Sequence, residues 1–180
     1  MTVRCSVFVG ASLDGFIARK DGALDWLPAV ESGQDYGYNE HMASIDTVVM
    51  GRKTFQKVLS MGEWPFAGKR VVLLSFGKPK VPGHLKGVEI LTGSPGAIVQ
   101  HLEKTGSRHL SLEGGKTTQW FLDAGLVDEL TITWVPILIG EGTPLFGPLK
   151  KDLPLQLVNS KRFPDGLLQS VYRRPLEPDR

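Results

Sequence analysis

Two short stretches of this 180-residue chain set glycine, a basic side chain and a hydroxyl directly after an apolar run. The first is Gly51-Arg52-Lys53-Thr54, after the run DTVVM at 46–50. The second is Glu113-Gly114-Gly115-Lys116-Thr117-Thr118, after HLSL at 109–112. Each pattern predicts a strand that ends in glycine and a helix that begins there. Glycine lets a ligand approach the backbone, and the free N–H groups and dipole of a helix start favour negative charge. Two such junctions at the carboxyl ends of strands in one sheet fit a ligand with more than one phosphate. Taken singly, each is equally compatible with a tight turn followed by solvated basic side chains.

Carboxylates that could move a proton cluster in the segment from Ala11 to Gln34, which carries glycines at 15, 22 and 33. It reads as a long ordered loop, and such loops in compact domains usually carry function. Asp14-Gly15 and Asp21-Gly22 are turn dipeptides, and a turn role accounts for both. Asp25-Trp26-Leu27-Pro28 sets an acid beside a large ring in a segment able to lie over a flat substrate. A desolvated carboxyl there would have its pKa raised and could supply or relay a proton. Glu31 and Asp35 complete the set.

Other chemistries find little footing. Gly115-Lys116-Thr117 resembles the end of a P-loop, but position 110 is leucine where that motif needs glycine. Gly140-Glu141-Gly142 resembles a dinucleotide fingerprint until Leu145, where the third glycine belongs. Histidines 41, 84, 101 and 109 lack zinc-ligand spacing and read as structural, so no metal is expected. Cys5 lies in an apolar run and reads as a small buried hydrophobe. No G-x-S-x-G elbow is present.

The elements that must position these residues follow from the pattern. Strands are expected at 3–10, 46–50, 70–75, 88–91, 109–112, 130–138, 155–162 and 167–173. Helices are expected at 36–45, from Gly51 to about Ser60, from Pro95 to about Lys104 behind a Ser94 cap, and from Gly114-Gly115 to near Gly125. Strand and helix alternate through the first 125 residues, which implies a mainly parallel sheet. The Pro-Asp-Gly turn at 164–166 closes a C-terminal antiparallel hairpin. The fold class is therefore mixed α/β, with one domain over 1–174 and a frayed tail at 175–180. Apolar residues make up 41% and charged residues 22%, an ordinary globular balance. A net charge of +2 is too small a footprint for nucleic acid or an anionic membrane. The single cysteine and the absence of a signal peptide or an apolar run of 18 point to a cytoplasmic protein.

The ordered motifs resemble the dihydrofolate reductase-like superfamily, and more closely the reductase domain of the bifunctional riboflavin-pathway deaminase/reductase and its stand-alone relatives. The segments that carry it are SVFVGASLDGFIA (6–18), DGALDWLP (21–28), DTVVMGRKTF (46–55), WPFAGKRVVLLS (64–75), LSLEGGKTTQWFLDAGLVDEL (110–130) and PILIGEGTPLF (136–146). The resemblance implies a three-layer fold and NADPH bound in extended form across the sheet. By position it assigns Gly51, Arg52, Lys53 and Thr54 to the cofactor's phosphates and Ser75, with Lys78, to the 2′-phosphate side of adenosine. Gly114 and Gly115 match a pair that carries a cis peptide beside the pyrophosphate, with Lys116 and Thr117 continuing the site and Ala11 beside the nicotinamide.

Asp14, Asp25, Trp26 and Glu113 would face a small heterocyclic substrate. Phe16 stands where riboflavin-pathway members usually carry a substrate-side lysine. The activity implied is reduction of 5-amino-6-(5-phosphoribosylamino)uracil. A dihydrofolate or pterin reductase and a non-catalytic NADP(H)-binding protein are the alternatives. A homodimer is also implied, as is a deaminase partner on a separate chain.

Overall fold

β-Branched and apolar runs too short for helices form the strands, and glycine or proline punctuates them. The computed structural model describes residues 3–28 and 34–175; Glu31 and the tail at 176–180 lie outside the described residues. In chain order the elements are β1 (Arg4–Ser12), β2 (Phe16–Ala18), α1 (Tyr38–Ser44), β3 (Thr47–Gly51), α2 (Arg52–Ser60), β4 (Arg70–Leu74), β5 (Val88–Leu91) and α3 (Pro95–Lys104). They continue with β6 (His109–Glu113), α4 (Gly115–Asp123), β7 (Glu129–Val135), β8 (Thr143–Pro144), β9 (Gln156–Arg162) and β10 (Leu168–Arg173).

Eight strands form one mixed sheet in the order β5-β4-β3-β6-β1-β7-β10-β9, and β2 pairs with β8 in a separate two-stranded piece. All pairings from β5 to β7 are parallel, and β10 and β9 add the expected antiparallel hairpin at one edge. β1 extends to Ser12, two residues further than expected, because its last residues pair with Trp134 and Val135 of β7. The segment expected to be a plain loop also contains β2, which gains its partner from Thr143 and Pro144, more than a hundred residues away. That pairing is invisible to local pattern.

The central strands β3 and β4 are buried on both faces, as their apolar runs require. On one face Cys5, Val7, Leu110, Leu112 and Ile132 pack against Ile98 and Leu102 of α3 and Phe121 and Leu122 of α4. On the other face Val48, Met50, Val71 and Leu73 pack against Phe55 of α2 and the Trp64–Phe66 turn. Helices on both sides of the sheet make three layers. Asp46 ties the lower end together, because one carboxylate oxygen accepts the N–H groups of Arg108 and His109 at 2.8 and 2.9 Å.

Phe121 is fully buried at the centre of the larger cluster. Phe121→Ala is expected to lower unfolding stability by about 3–5 kcal/mol, the range for an aromatic core truncation, read from urea denaturation of the two proteins.

Candidate active site

β3 and β6 are parallel neighbours in a register that sets Met50 beside Glu113. Both strands therefore end at the same level, and α2 and α4 begin side by side. The two predicted junctions interlock. A Cβ at Gly114 would collide with the Thr54 side chain, and one at Gly51 would lie 3.5 Å from Thr117 Oγ1. Gly114 also sits at φ +88°, a conformation that L side chains rarely adopt. The resemblance implied a cis peptide at Gly114–Gly115, and this is corrected: no described peptide is cis. Gly114, at φ 88° and ψ 147°, makes the turn into α4 instead.

Neither helix start carries a side-chain cap or a first-turn acid. α3 differs: Ser94 Oγ accepts the Ala97 N–H at 3.3 Å and satisfies its own end. The first-turn N–H groups of α2 and α4 are left without side-chain acceptors, and Arg52, Lys53 and Lys116 stand exposed around them.

Between these junctions and the ends of β4 and β5 lies an open cleft of about 370 Å³. Four residues singled out from the sequence line it: Gly51, Ser75, Lys116 and Thr117. Two that sequence reasoning missed, Phe76 and Trp120, line it too. Phe76 is 93% exposed and Trp120 37%, so two aromatic side chains border the cleft without being packed into the core. An exposed Phe directly after a predicted strand was the available signal. Arg52, Lys53 and Thr54 sit at the adjoining start of α2, and Lys78 is exposed outside the lining.

The opposite face of β6 is polar. His109, Ser111 and Glu113 alternate with Leu110 and Leu112, and β1 sets Ser6 beside Ser111. α1 covers this row, with His41 stacked on Phe8 of β1 at 5.0 Å between ring centroids. Glu113 accepts from Ser111 Oγ at 2.8 Å, and Ser111 Oγ lies 3.0 Å from His41 Nε2. Glu113 is mostly buried but keeps an accessible portion. Desolvation raises its pKa above the ordinary carboxylate value, and the Ser111 hydrogen bond opposes this in part. It is therefore the carboxyl of this site with the environment of a proton donor.

The other candidates take different places. Asp14 accepts from Ser12 Oγ at 2.6 Å and from the Ile139 and Gly140 N–H groups at 3.1 and 2.7 Å, which pins the loop after β7 to the end of β1. The Ser12 hydroxyl and these backbone donors hold its pKa low. Asp25 is a correction: it is exposed rather than desolvated, and Arg19 grips it through two bonds of 2.7 and 3.0 Å. The guanidinium lowers its pKa, the opposite of what a proton donor needs. Trp26 is corrected as well, since it is buried with Val135, Phe163 and Leu167 and is not spread over a ligand surface. Ala11 is fully buried in the larger core, paired with Trp134 of β7, and does not line the cleft. Phe16 lies half-buried on β2, opposite Pro144, with its N–H bonded to Ser12 Oγ at 3.0 Å. Among the described residues no group of His, Cys, Asp and Glu could hold a metal ion, and no helix is long and apolar enough to cross a membrane.

Residues 3–169 match the RibD C-terminal domain, and the chain belongs to that family. A Shewanella protein provisionally named for riboflavin biosynthesis has a similar crystal structure, with TM-score 0.90, 39% identity, and coverage of 96% of this chain and 99% of that one. The uncharacterized protein YyaP of Bacillus subtilis is 31% identical over 174 residues, covering 91% of each chain. A Thermotoga maritima diaminohydroxyphosphoribosylaminopyrimidine deaminase/5-amino-6-(5-phosphoribosylamino)uracil reductase shares the fold. Its TM-score is 0.73 at 19% identity, over 97% of this chain and 57% of that one.

Burial also gives the polar row a pH signature. Desolvation is the largest cause that pushes His41 from 6.5 down to about 4. Between these values the unfolded chain binds a proton that the folded one refuses, so this contribution to stability is lost as pH falls from 6.5 to about 4. Urea unfolding across that window should show wild type losing stability relative to His41→Phe. Part of the acid sensitivity should persist in the variant, because burial also lowers His109.

Proposed function

We propose that the protein is an NADPH-dependent reductase of a flat nitrogen heterocycle, with 5-amino-6-(5-phosphoribosylamino)uracil the first substrate to test. The observation that carries this reading is the convergence of two uncapped, glycine-led helix starts on one aromatic-bordered cleft. The cofactor fits the residues present. The N–H groups at the starts of α2 and α4, with Arg52, Lys53 and Lys116, suit its phosphates, and Thr54 and Thr117 add hydroxyls beside them. Ser75, Phe76 and Trp120 suit the adenosine end, where a flat base can lie against an aromatic side chain. When bound, NADPH supplies the hydride.

The remaining tasks fall to the chain itself. A C=N or C=O group that accepts hydride at carbon needs a proton at the heteroatom. Glu113, whose pKa burial raises at the end of β6, is placed to give it. Asp14 acts at one remove: by fastening the loop after β7 to β1 it shapes the wall of the substrate side. β2 and β8 pack on the start of α4, since a Cβ at Gly115 would stand 2.9 Å from Thr143 Cγ2 and 3.2 Å from Ile17 Cδ1. That contact couples the first loop to the phosphate junction.

Two copies are also proposed to pair through β9. It is an edge strand exposed along its whole length, with Leu157 and Val158 54% and 41% exposed, and an open apolar edge invites strand pairing. Sedimentation equilibrium should return twice the chain mass, and Leu157→Lys should return the monomer.

The reductase reading is tested by titrating the protein with NADPH and NADH while following energy transfer from tryptophan to the nicotinamide. Saturable binding with preference for NADPH is expected; binding of neither cofactor contradicts it. With the aminouracil substrate, Glu113→Gln should lower kcat by about 10²–10⁴-fold and leave NADPH affinity unchanged.

A further inference from the structure

The polar row beneath α1 does more than fill space. Ser111 is fully buried and touches two groups at once: Glu113 Oε1 at 2.8 Å and His41 Nε2 at 3.0 Å. A serine hydroxyl has one hydrogen, so the two bonds must run in one direction along the chain. If Glu113 is ionised, Ser111 donates to it and His41 must donate from Nε2–H. If Glu113 is protonated on Oε1, the oxygen facing Ser111, it donates to Ser111, and Ser111 donates to a bare Nε2, which leaves the ring hydrogen on Nδ1. The tautomer of His41 therefore follows the protonation of Glu113.

His109 offers the contrast a few ångströms away. Its Nδ1 lies 3.0 Å from the Ser44 carbonyl oxygen, which can only accept, so His109 is fixed as the Nδ1–H form. Its Nε2 then accepts from Ser6 Oγ at 2.8 Å. Of the two rings, whose centroids are 6.3 Å apart, only that of His41 is free to switch. His41 is also half-buried on α1, the outermost layer of this face.

We propose that His41 is a positioning residue at the outer end of a proton wire, His41–Ser111–Glu113, that reprotonates Glu113 from solvent after each transfer to substrate; this rests on the reductase reading above. A proton from water binds Nδ1 of His41 as Nε2–H passes its proton to Ser111 Oγ. Ser111 passes its own to the Glu113 carboxylate. One proton enters at His41, one is regained at Glu113, and no group along the path keeps a net charge. Once Glu113 has given its proton to substrate, the Ser111 hydroxyl turns back toward the carboxylate. His41 returns to Nε2–H by releasing the Nδ1 proton to water and taking another from water at Nε2, so that the reset moves no net proton.

The surroundings favour a neutral relay. The charged and titratable groups around His41 are Tyr38 on α1, His109 and Glu113 on β6, Arg4 on β1, Glu129 on β7 and Lys69 before β4. Arg4 and Glu129 pair with each other at 2.7 Å. Lys69 is bonded to the Ile45 carbonyl at 2.8 Å. Burial keeps His41 uncharged down to about 4, so the ring works by exchanging tautomers and not as an imidazolium.

The test uses the full chain without cofactor or substrate, labelled with ¹⁵N at histidine and ¹³C at the glutamate carboxyls. As pH rises through the Glu113 titration, His41 should change from Nδ1–H to Nε2–H with the same midpoint while His109 stays Nδ1–H. In Ser111→Ala, His41 should no longer follow Glu113. A His41 tautomer that ignores Glu113, or that still follows it in Ser111→Ala, overturns the wire. In turnover, His41→Phe should lower kcat by about tenfold or more at unchanged KM for NADPH, with partial rescue by added imidazole; an unchanged kcat overturns the delivery role. Since the tautomer readout needs no ligand, failure of the wire and failure of the reductase reading are separate results: cofactor titration alone decides the latter.

Discussion

The parallel pairing of β3 with β6, in the register that aligns Met50 with Glu113, is the constraint on which the candidate site depends. A shift of one residue would turn Glu113 to the opposite face of the sheet and separate Gly114 from Thr54. The register is held from both ends. Asp46 bonds the backbone of Arg108 and His109 at the bottom, and Thr54 fills the space that a side chain at Gly114 would need at the top. Between them, Val48, Val49, Leu110 and Leu112 lock the strands into the two cores. The site is thus a consequence of how the sheet closes, and its backbone donors are aimed before any ligand arrives.

The sheet divides the chemistry by face and by end. The side proposed for the cofactor is built from backbone and exposed basic side chains, which suits a large, charged, separable ligand. The side beneath α1 is built from uncharged groups, the buried Ser6 and Ser111 and the half-buried His41 and His109, with Glu113 at its rim. Desolvation acts on both ionisable types there in the same sense: it raises the pKa of the carboxyl and lowers those of the imidazoles, favouring the uncharged form of each. A region without fixed charge can move a proton without first separating ions, at the expense of acid stability as the histidines are forced to charge.

Most of the fold was legible because its signals are local. DTVVM and RVVLL are short apolar runs and HLSLE a short alternating one, each bounded by glycine or loop residues, and Ser94-Pro95 marks a helix start that the structure reproduces with its cap. The two glycine junctions were legible for the same reason. What was not legible depends on distant partners. β2 exists through Thr143 and Pro144. Asp25 loses its proton-donor role to Arg19, six residues away across a turn, and Trp26 turns inward to meet Phe163 and Leu167. The sequence reads the histidines as structural, and the structure sets His41 and His109 in a buried polar row. Yet HLSLE carries a readable signal, polar residues at every second position of a strand whose intervening leucines are core. A polar row on a buried strand has to be satisfied from somewhere, and α1 supplies His41.

The central claim is that both helix starts take hold of one phosphate-bearing ligand together. The direct test is amide chemical-shift mapping of ¹⁵N-labelled protein during titration with NADPH. The account predicts that the amides of Arg52, Lys53, Lys116 and Thr117 and the Trp120 indole N–H move along one binding curve with a single Kd. Movement at only one junction, or different curves for the two, would contradict it.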